Sequence, residues 1–273
     1  MKKFNFKKIV IHDGSYHLDD LMCAIFAHIV SSGECKIVRT HDLGDLLGYR
    51  KADGDTIVCD IGGGEFDHHQ IDGEINESTG TKFCAFGLLW KEFAKDFFHN
   101  YGIVDDKAIE FGTKLFQDSF INEIDKTDNE GQKKWPSSLS YIISSANNIG
   151  ESFDETFQMM KPLVECVFRS LTKSVKDKEY AIKLASCCGD RQNVLFNYGR
   201  FVPTYLFEGT AIKFVCSKSN RDDGSWNINC VPGSSIPDSI EAGKNGCKFV
   251  HPARFLAVFE SEKAAEEAAH LLQ

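Results

Sequence analysis

Three short apolar runs near the start of the chain, residues 8–11, 36–39 and 56–59, are separated by helical patterning, and this alternation constrains the fold most. Leu21, Met22, Ile25 and Ile29 recur at helical spacing after the first run. Strands that alternate with helices imply a parallel sheet with helices on its faces, joined by right-handed connections. The expected fold class is therefore α/β.

A helix-rich stretch follows. Phe83, Phe86, Leu89, Trp90 and Phe93 form one apolar stripe, and Ile109, Leu115, Phe116, Phe120 and Ile124 form another. They are read as core packing rather than as a base-stacking platform. Two long helical patterns run nearly back to back over 153–188. After Gly189 the texture changes: 193–196, 211–216, 226–231 and 248–250 look like strands between Gly, Asp, Asn and Pro turns. A last helix is expected over 261–272, capped by Ser261. The expected division is an α/β domain over 1–150, a helical connector over 151–189 and a smaller α+β domain over 190–273, the last contacting substrate.

The formal net charge is −9, with 26% charged residues of both signs. A broad basic face for duplex nucleic acid is excluded, because that mode of binding needs clustered Lys and Arg to displace counterions. An enzyme acting on a short polyanion is not. No apolar run has the length of a membrane span, and the start lacks a secretory or transit pattern, so a cytoplasmic protein is expected. The ten cysteines form no C-x-x-C pair and sit in apolar contexts. They are read as buried free thiols of a reducing compartment.

Three segments place acids and imidazoles where strands end. The first runs from His12 to Asp20 and holds His12, Asp13, His17, Asp19 and Asp20; the second holds Asp60, Asp67, His68 and His69; the third holds Asp125 and Asp128. Ligands of an open α/β sheet bind outside the carboxyl ends of its strands. His12 and Asp60 each follow a strand-like run, and Gly14 and Gly62 to Gly64 supply turns that bring further groups back. Mixed imidazole and carboxylate donors suit Mn2+ first, with Co2+, Fe2+, Zn2+ or Mg2+ as alternatives, and carboxylates can bridge two ions. Packing accounts poorly for an Asp-His-His triplet after a glycine turn.

Asp67-His68-His69 matches the signature of the DHH phosphoesterase superfamily, and the chain resembles the MYG1 (UPF0160) branch of it. The resemblance runs through His12-Asp13-Gly14-Ser15-Tyr16-His17-Leu18-Asp19-Asp20, Ile37 to Thr40, Asp60-Ile61-Gly62-Gly63, Asp67-His68-His69-Gln70 and Glu123 to Asn129. It returns in Gly224-Ser225-Trp226, Val231-Pro232 and Phe249-Val250-His251 with Phe255. The departures are Asp13 and Asp20 for the family's Asn and Glu, a shorter span before Asp67, and Leu256 and Ala257 for glycines.

The resemblance implies a DHH-type catalytic domain over 1–150 that holds two divalent ions. His12, His17, Asp19, Asp60 and His68 are the implied ligands, with Asp125 or Asp128 completing the set. Asp67, His68 and His69 are the implied catalytic residues, and His69, His251 and Arg254 the implied substrate contacts. The activity implied is phosphoester hydrolysis by a metal-activated water, as a 3′-5′ exonuclease or phosphodiesterase on short single-stranded RNA, oligonucleotides or nucleotides. Two other classes are carried as alternatives: a metal-binding regulator without turnover, and a metal-dependent amide or peptide hydrolase. The resemblance assigns no oligomeric state.

Overall fold

Ile9, Val10 and Ile11 are fully buried with no alternation of inside and outside. Such a strand must be covered on both faces, which is the mark of a central strand in a parallel sheet. The structure, a computed structural model, describes residues 6–31, 33–42, 44, 55–69, 73–131, 138–188 and 193–272. Gln70 and the boundary at Gly189 lie outside these. Strand β1 (Lys8–Ile11) sits between β2 (Lys36–Arg39) and β3 (Thr56–Val58), parallel to both, with Lys8 opposite Lys36 and Thr56. Helix α1 (Leu18–Val30) connects β1 to β2; Leu21 through Ala27 are all fully buried, so the helix runs through the interior.

After the short hairpin β4 (Ile75–Asn76) and β5 (Thr81–Lys82) comes α2 (Ala85–Asn100). Helices α3 (Asp106–Phe116) and α4 (Asn122–Glu130) are joined by a π-helical turn, Gln117–Ile121. Then follow α5 (Leu139–Asn148) and α6 (Phe153–Cys188). The two aromatic stripes meet as core: Trp90 stacks on Phe116 at 4.7 Å, and Phe168 of α6 meets Phe116 edge-on at 5.2 Å. Phe97 and Phe98 complete this cluster, whereas Phe83 and Phe93 are only half-buried. The pair of helical patterns expected over 153–188 is one helix with Pro162 inside it. Proline forfeits one backbone hydrogen bond there. Phe157, Met160, Val164 and Phe168, all nearly fully buried, hold the helix across that gap.

The chain forms two compact units, Met1–Val175 and Lys176–Gln273, which divide within α6. The second unit contains a five-stranded sheet ordered β6-β7-β8-β10-β9. Its strands are β6 (Val194–Asn197), β7 (Phe214–Lys218), β8 (Trp226–Cys230), β9 (Cys247–Val250) and β10 (Leu256–Phe259). Only the β6–β7 pairing is parallel. Strand β10 was not among the expected strands, although the apolar run Leu256-Ala257-Val258-Phe259 carries a strand signal; it pairs antiparallel with both β8 and β9. Helix α7 (Glu262–Ala269) starts where expected: the Ser261 side chain accepts from the Ala264 N–H at 3.2 Å. Its alanines pack on the sheet around Ile228 and Phe259.

All ten cysteines are free, but they are not uniformly buried. Cys166 and Cys187 are exposed and Cys188 is half-buried, because α6 turns those positions outward. No described helix is long and apolar enough to cross a membrane.

Candidate metal centre

His12 is the first residue beyond β1, and Asp60 lies two residues beyond β3, so both leave the sheet at its carboxyl edge. Asp60 adopts a positive φ of 58°, rare for a residue with a side chain. Gly62 and Gly63 continue with φ of 83° and 65°, which only glycine adopts cheaply. The reversal returns Phe66 to pair with Cys59 and delivers Asp67, His68 and His69 beside Asp60. Asp67 closes the loop: its Oδ2 accepts from the Gly63 N–H at 2.6 Å, and its Oδ1 accepts from the His69 N–H at 3.1 Å and lies 3.0 Å from His69 Nδ1.

Asp19 and Asp20 occupy the first turn of α1, where the helix dipole favours negative charge. His17 is the N-cap, and Asp20 Oδ2 accepts from its backbone N–H at 3.0 Å. The Asp20 carboxylate also meets His12 Nε2 at 2.7 Å, and His12 lies 3.3 Å from Asp60. From the other side His68 Nε2 approaches Asp60 at 3.0 Å, Asp128 of α4 at 3.3 Å and Asp19 at 3.7 Å.

Four trios offer donor atoms within 4.8 Å of one another: His12, His17 and Asp20; Asp60, His68 and His69; His17, Asp19 and Asp128; and Asp19, Asp20 and Asp60. Asp19, Asp20 and Asp60 link the other three trios into one cluster.

Burial and charge make this cluster costly without cations. Asp19 is fully buried; burial first, then the charges of Asp128, Asp60 and Asp20, push its pKa well above the usual carboxylate range. Asp20 and Asp128 are raised by the same burial, partly offset by His12 and His68 respectively. Burial opposes charge on His12, but its contacts with Asp20 and Asp60 outweigh this and raise its pKa to about 10. Asp60 shows the reverse balance: burial would raise it, but His12 and His68 hold it well below the usual range. Both oxygens of Asp19, and Oδ1 of Asp20 and Asp60, are buried and accept no well-formed hydrogen bond from the described residues, Asp60 Oδ1 having an ion-pair contact with His68. Orphaned buried oxygens of this kind are expensive unless a cation meets them. The donor set therefore fits divalent metal: four carboxylates balance the charge of two such ions, and the imidazoles supply nitrogen donors.

The structure thus brings His12, His17, Asp19, Asp60, His68 and Asp128 together. Asp20 belongs with them, although the sequence pattern alone did not mark it as a ligand. Its place in the first turn of α1, one residue after Asp19, was the available signal. Asp125 stands apart from the cluster. Its carboxylate accepts from the Cys84 N–H at 3.0 Å, Asn76 Nδ2 at 2.8 Å and Gln117 Nε2 at 3.3 Å, and so holds the start of α2. Gly87 makes room for it, since a Cβ there would collide with Asp125 Oδ1. His251 and Arg254 lie in the second unit. The Arg254 guanidinium donates to the carbonyls of Ile236, Pro237 and Ile240, and the His251 ring lies 4.0 Å from that of Phe255.

Residues 8–237 match MYG1_exonuc, an uncharacterised protein family (UPF0160). The chain is 24% identical to MYG1 protein YER156C of Saccharomyces cerevisiae over 97% of this chain and 95% of that protein. It is also 24% identical to the MYG1 protein of Chlamydia trachomatis, over 97% and 96% respectively. Among solved structures, RecJ of Thermus thermophilus in complex with Mn2+ aligns at 14% identity and a TM-score of 0.30. That alignment covers 97% of this chain but only 51% of RecJ, a likeness too remote to bear on chemistry.

Proposed function

The chain belongs to the MYG1 (UPF0160) family, and on that premise we propose that it is a metal-dependent phosphoester hydrolase of nuclease type. The observation that carries this reading is the cluster of buried carboxylate oxygens without hydrogen-bond partners among the described residues, ringed by imidazoles at the carboxyl edge of a parallel sheet. His12, His17, Asp19, Asp20, Asp60, His68 and Asp128 would hold two divalent ions, Mn2+ first among the candidates. When bound, such ions polarise a phosphoryl oxygen and make a water more acidic.

The protein's own groups have separate tasks. Asp67 fixes His69 through Nδ1, which leaves the other ring nitrogen of this largely exposed side chain for a phosphate oxygen. Asp60, held ionised, keeps His12 and His68 oriented toward the cluster. His251 is the proposed substrate contact of the second unit. Arg254 is assigned to the same role, although its bonds to three carbonyls first hold the turn that carries His251. The proposed substrates are short single-stranded RNA, oligonucleotides or nucleotides, and the proposed compartment is the reducing cytoplasm, in keeping with ten free cysteines.

The test is metal analysis and a Mn2+-supplemented assay on short RNA, cyclic dinucleotides and a peptide pool, with wild type and Asp60→Asn. Phosphodiester cleavage that is lost with the metal in the variant is the expected result. Cleavage of peptides alone would replace the reading with an amide hydrolase, and metal without turnover would replace it with a metal-binding regulator.

A further inference from the structure

A cavity of about 270 Å3 lies in the first unit, away from the carboxylate cluster. It is lined by His28, Ile29 and Gly33 at the end of α1, by Tyr101 just past α2, and by Lys161, Glu165, Phe168 and Arg169 of α6. Asp19 and His28 sit at opposite ends of α1, so at 1.5 Å per residue the cavity is roughly 13 Å along the helix from the cluster.

The lining is chemically divided. Lys161 and Arg169 supply two cations, of which Lys161 pairs with Glu165 at 3.5 Å. Arg169 is exposed and makes no ion pair among the described residues. A planar guanidinium left unpaired at a cavity rim suits a phosphate or carboxylate, because it binds two oxygens at once. Elsewhere in the lining stand two acceptors, the Glu165 carboxylate and His28. Nδ1 of His28 is buried and has no hydrogen-bond partner among the described residues. Burial and the charge of Lys161 hold this imidazole below its ordinary pKa, against smaller opposing effects of the Cys35 backbone and Glu165. His28 is thus a neutral acceptor awaiting a donor. Ile29, Phe168 and Tyr101 contribute the apolar part of the lining.

We propose that this cavity binds a nucleoside monophosphate: the phosphate on Arg169 and Lys161, the hydroxyl and amine donors on Glu165 and His28 Nδ1, and the base against Ile29 and Phe168. A bare phosphate would leave His28 Nδ1 without a donor and the apolar lining uncovered. An amino acid would meet the charges but is too small for the volume and has no ring for the apolar walls. The inference stands on the chemistry of the cavity and does not depend on turnover at the carboxylate cluster.

Calorimetric titration separates it from that cluster when the protein carries Asp60→Asn and the buffer contains EDTA. The probes are AMP, ribose 5-phosphate, inorganic phosphate and glutamate. AMP should bind most tightly, and Arg169→Ala should weaken it roughly tenfold or more, the size of one charge-assisted contact to an anion. Lys161→Ala should weaken it less, because that side chain is shared with Glu165. Arg169 is exposed, so its substitution should leave the melting temperature unchanged, and that measurement accompanies the titration. AMP binding that survives Arg169→Ala, tighter binding of glutamate than of AMP, or no binding of AMP at millimolar concentration would each overturn the proposal.

Discussion

Asp125 and Asp128 are three residues apart on one helix, yet they have different surroundings. Asp128 faces His68 and the orphaned oxygens, whereas Asp125 bonds the start of α2. Asp128→Asn should therefore lower metal affinity at least tenfold with little change in the metal-free melting temperature. Asp125→Asn should do the opposite, costing stability of about 1–3 kcal/mol through a broken buried hydrogen-bond set while the metal stoichiometry survives. Metal analysis and thermal melts on both variants check this; a loss of metal in Asp125→Asn alone would reverse the assignment. The pH dependence follows from His12 and Asp19. His12 has its pKa raised from 6.5 to about 10, so its contribution to the metal-free fold is complete below pH 6.5 and fades as pH rises toward 10. Asp19, raised by burial, costs stability once pH climbs above the ordinary carboxylate range, which has the same sign. The metal-free protein should thus melt progressively lower between pH 6.5 and 10. Mn2+ must displace these protons, so its affinity should rise over that range and its binding should release protons. Calorimetry in two buffers of different ionisation enthalpy measures the release.

At the scale of elements, the centre depends on how tightly α2 and α4 approach. Gly87 sits in the first turn of α2, where an alanine would ordinarily favour the helix. Here a Cβ would meet the Asp125 carboxylate and the Phe83 ring, so Gly87→Ala should destabilise the protein despite its better propensity. A denaturant midpoint at or above wild type would show that Asp125 can move without cost. The π-helical turn before α4 belongs to the same arrangement. It places Gln117 within reach of both Asn122 Oδ1, at 2.7 Å, and Asp125 Oδ2. An added residue in a turn re-phases the helix beyond it, and here that helix carries Asp125 and Asp128.

For the whole molecule, net charge decides what can be held. At −9, with no dense basic stripe in the sequence, few cations are available to neutralise phosphates. The proposed enzyme should cleave short single strands faster than a duplex of equal concentration. Its salt dependence should be shallow, since each neutralised phosphate adds roughly one unit to the log–log slope. Rates on a dinucleotide, a short single strand and a duplex at two salt concentrations are the measurement. Preference for the duplex, or a steep slope, would require a basic groove that the linear sequence does not reveal.

The sequence by itself determined the parallel α/β start, because short apolar runs such as Ile9-Val10-Ile11 alternate with helical patterning, an order that a parallel sheet covered by helices requires. It also showed acids and imidazoles gathered at strand ends and after glycine turns, and the resemblance to the MYG1 branch implied His12, His17, Asp19, Asp60 and His68 as ligands among them. The separation of Asp125 from Asp128, and the placement of Asp20 beside the other carboxylates, came from the tertiary structure. Those depend on which helix face meets which neighbour, and neither spacing nor residue type records that. The unbroken helix across Pro162 was hidden for the same reason: contacts distant in the chain hold it, whereas strand β10 was legible in the apolar run Leu256-Ala257-Val258-Phe259 and was not read.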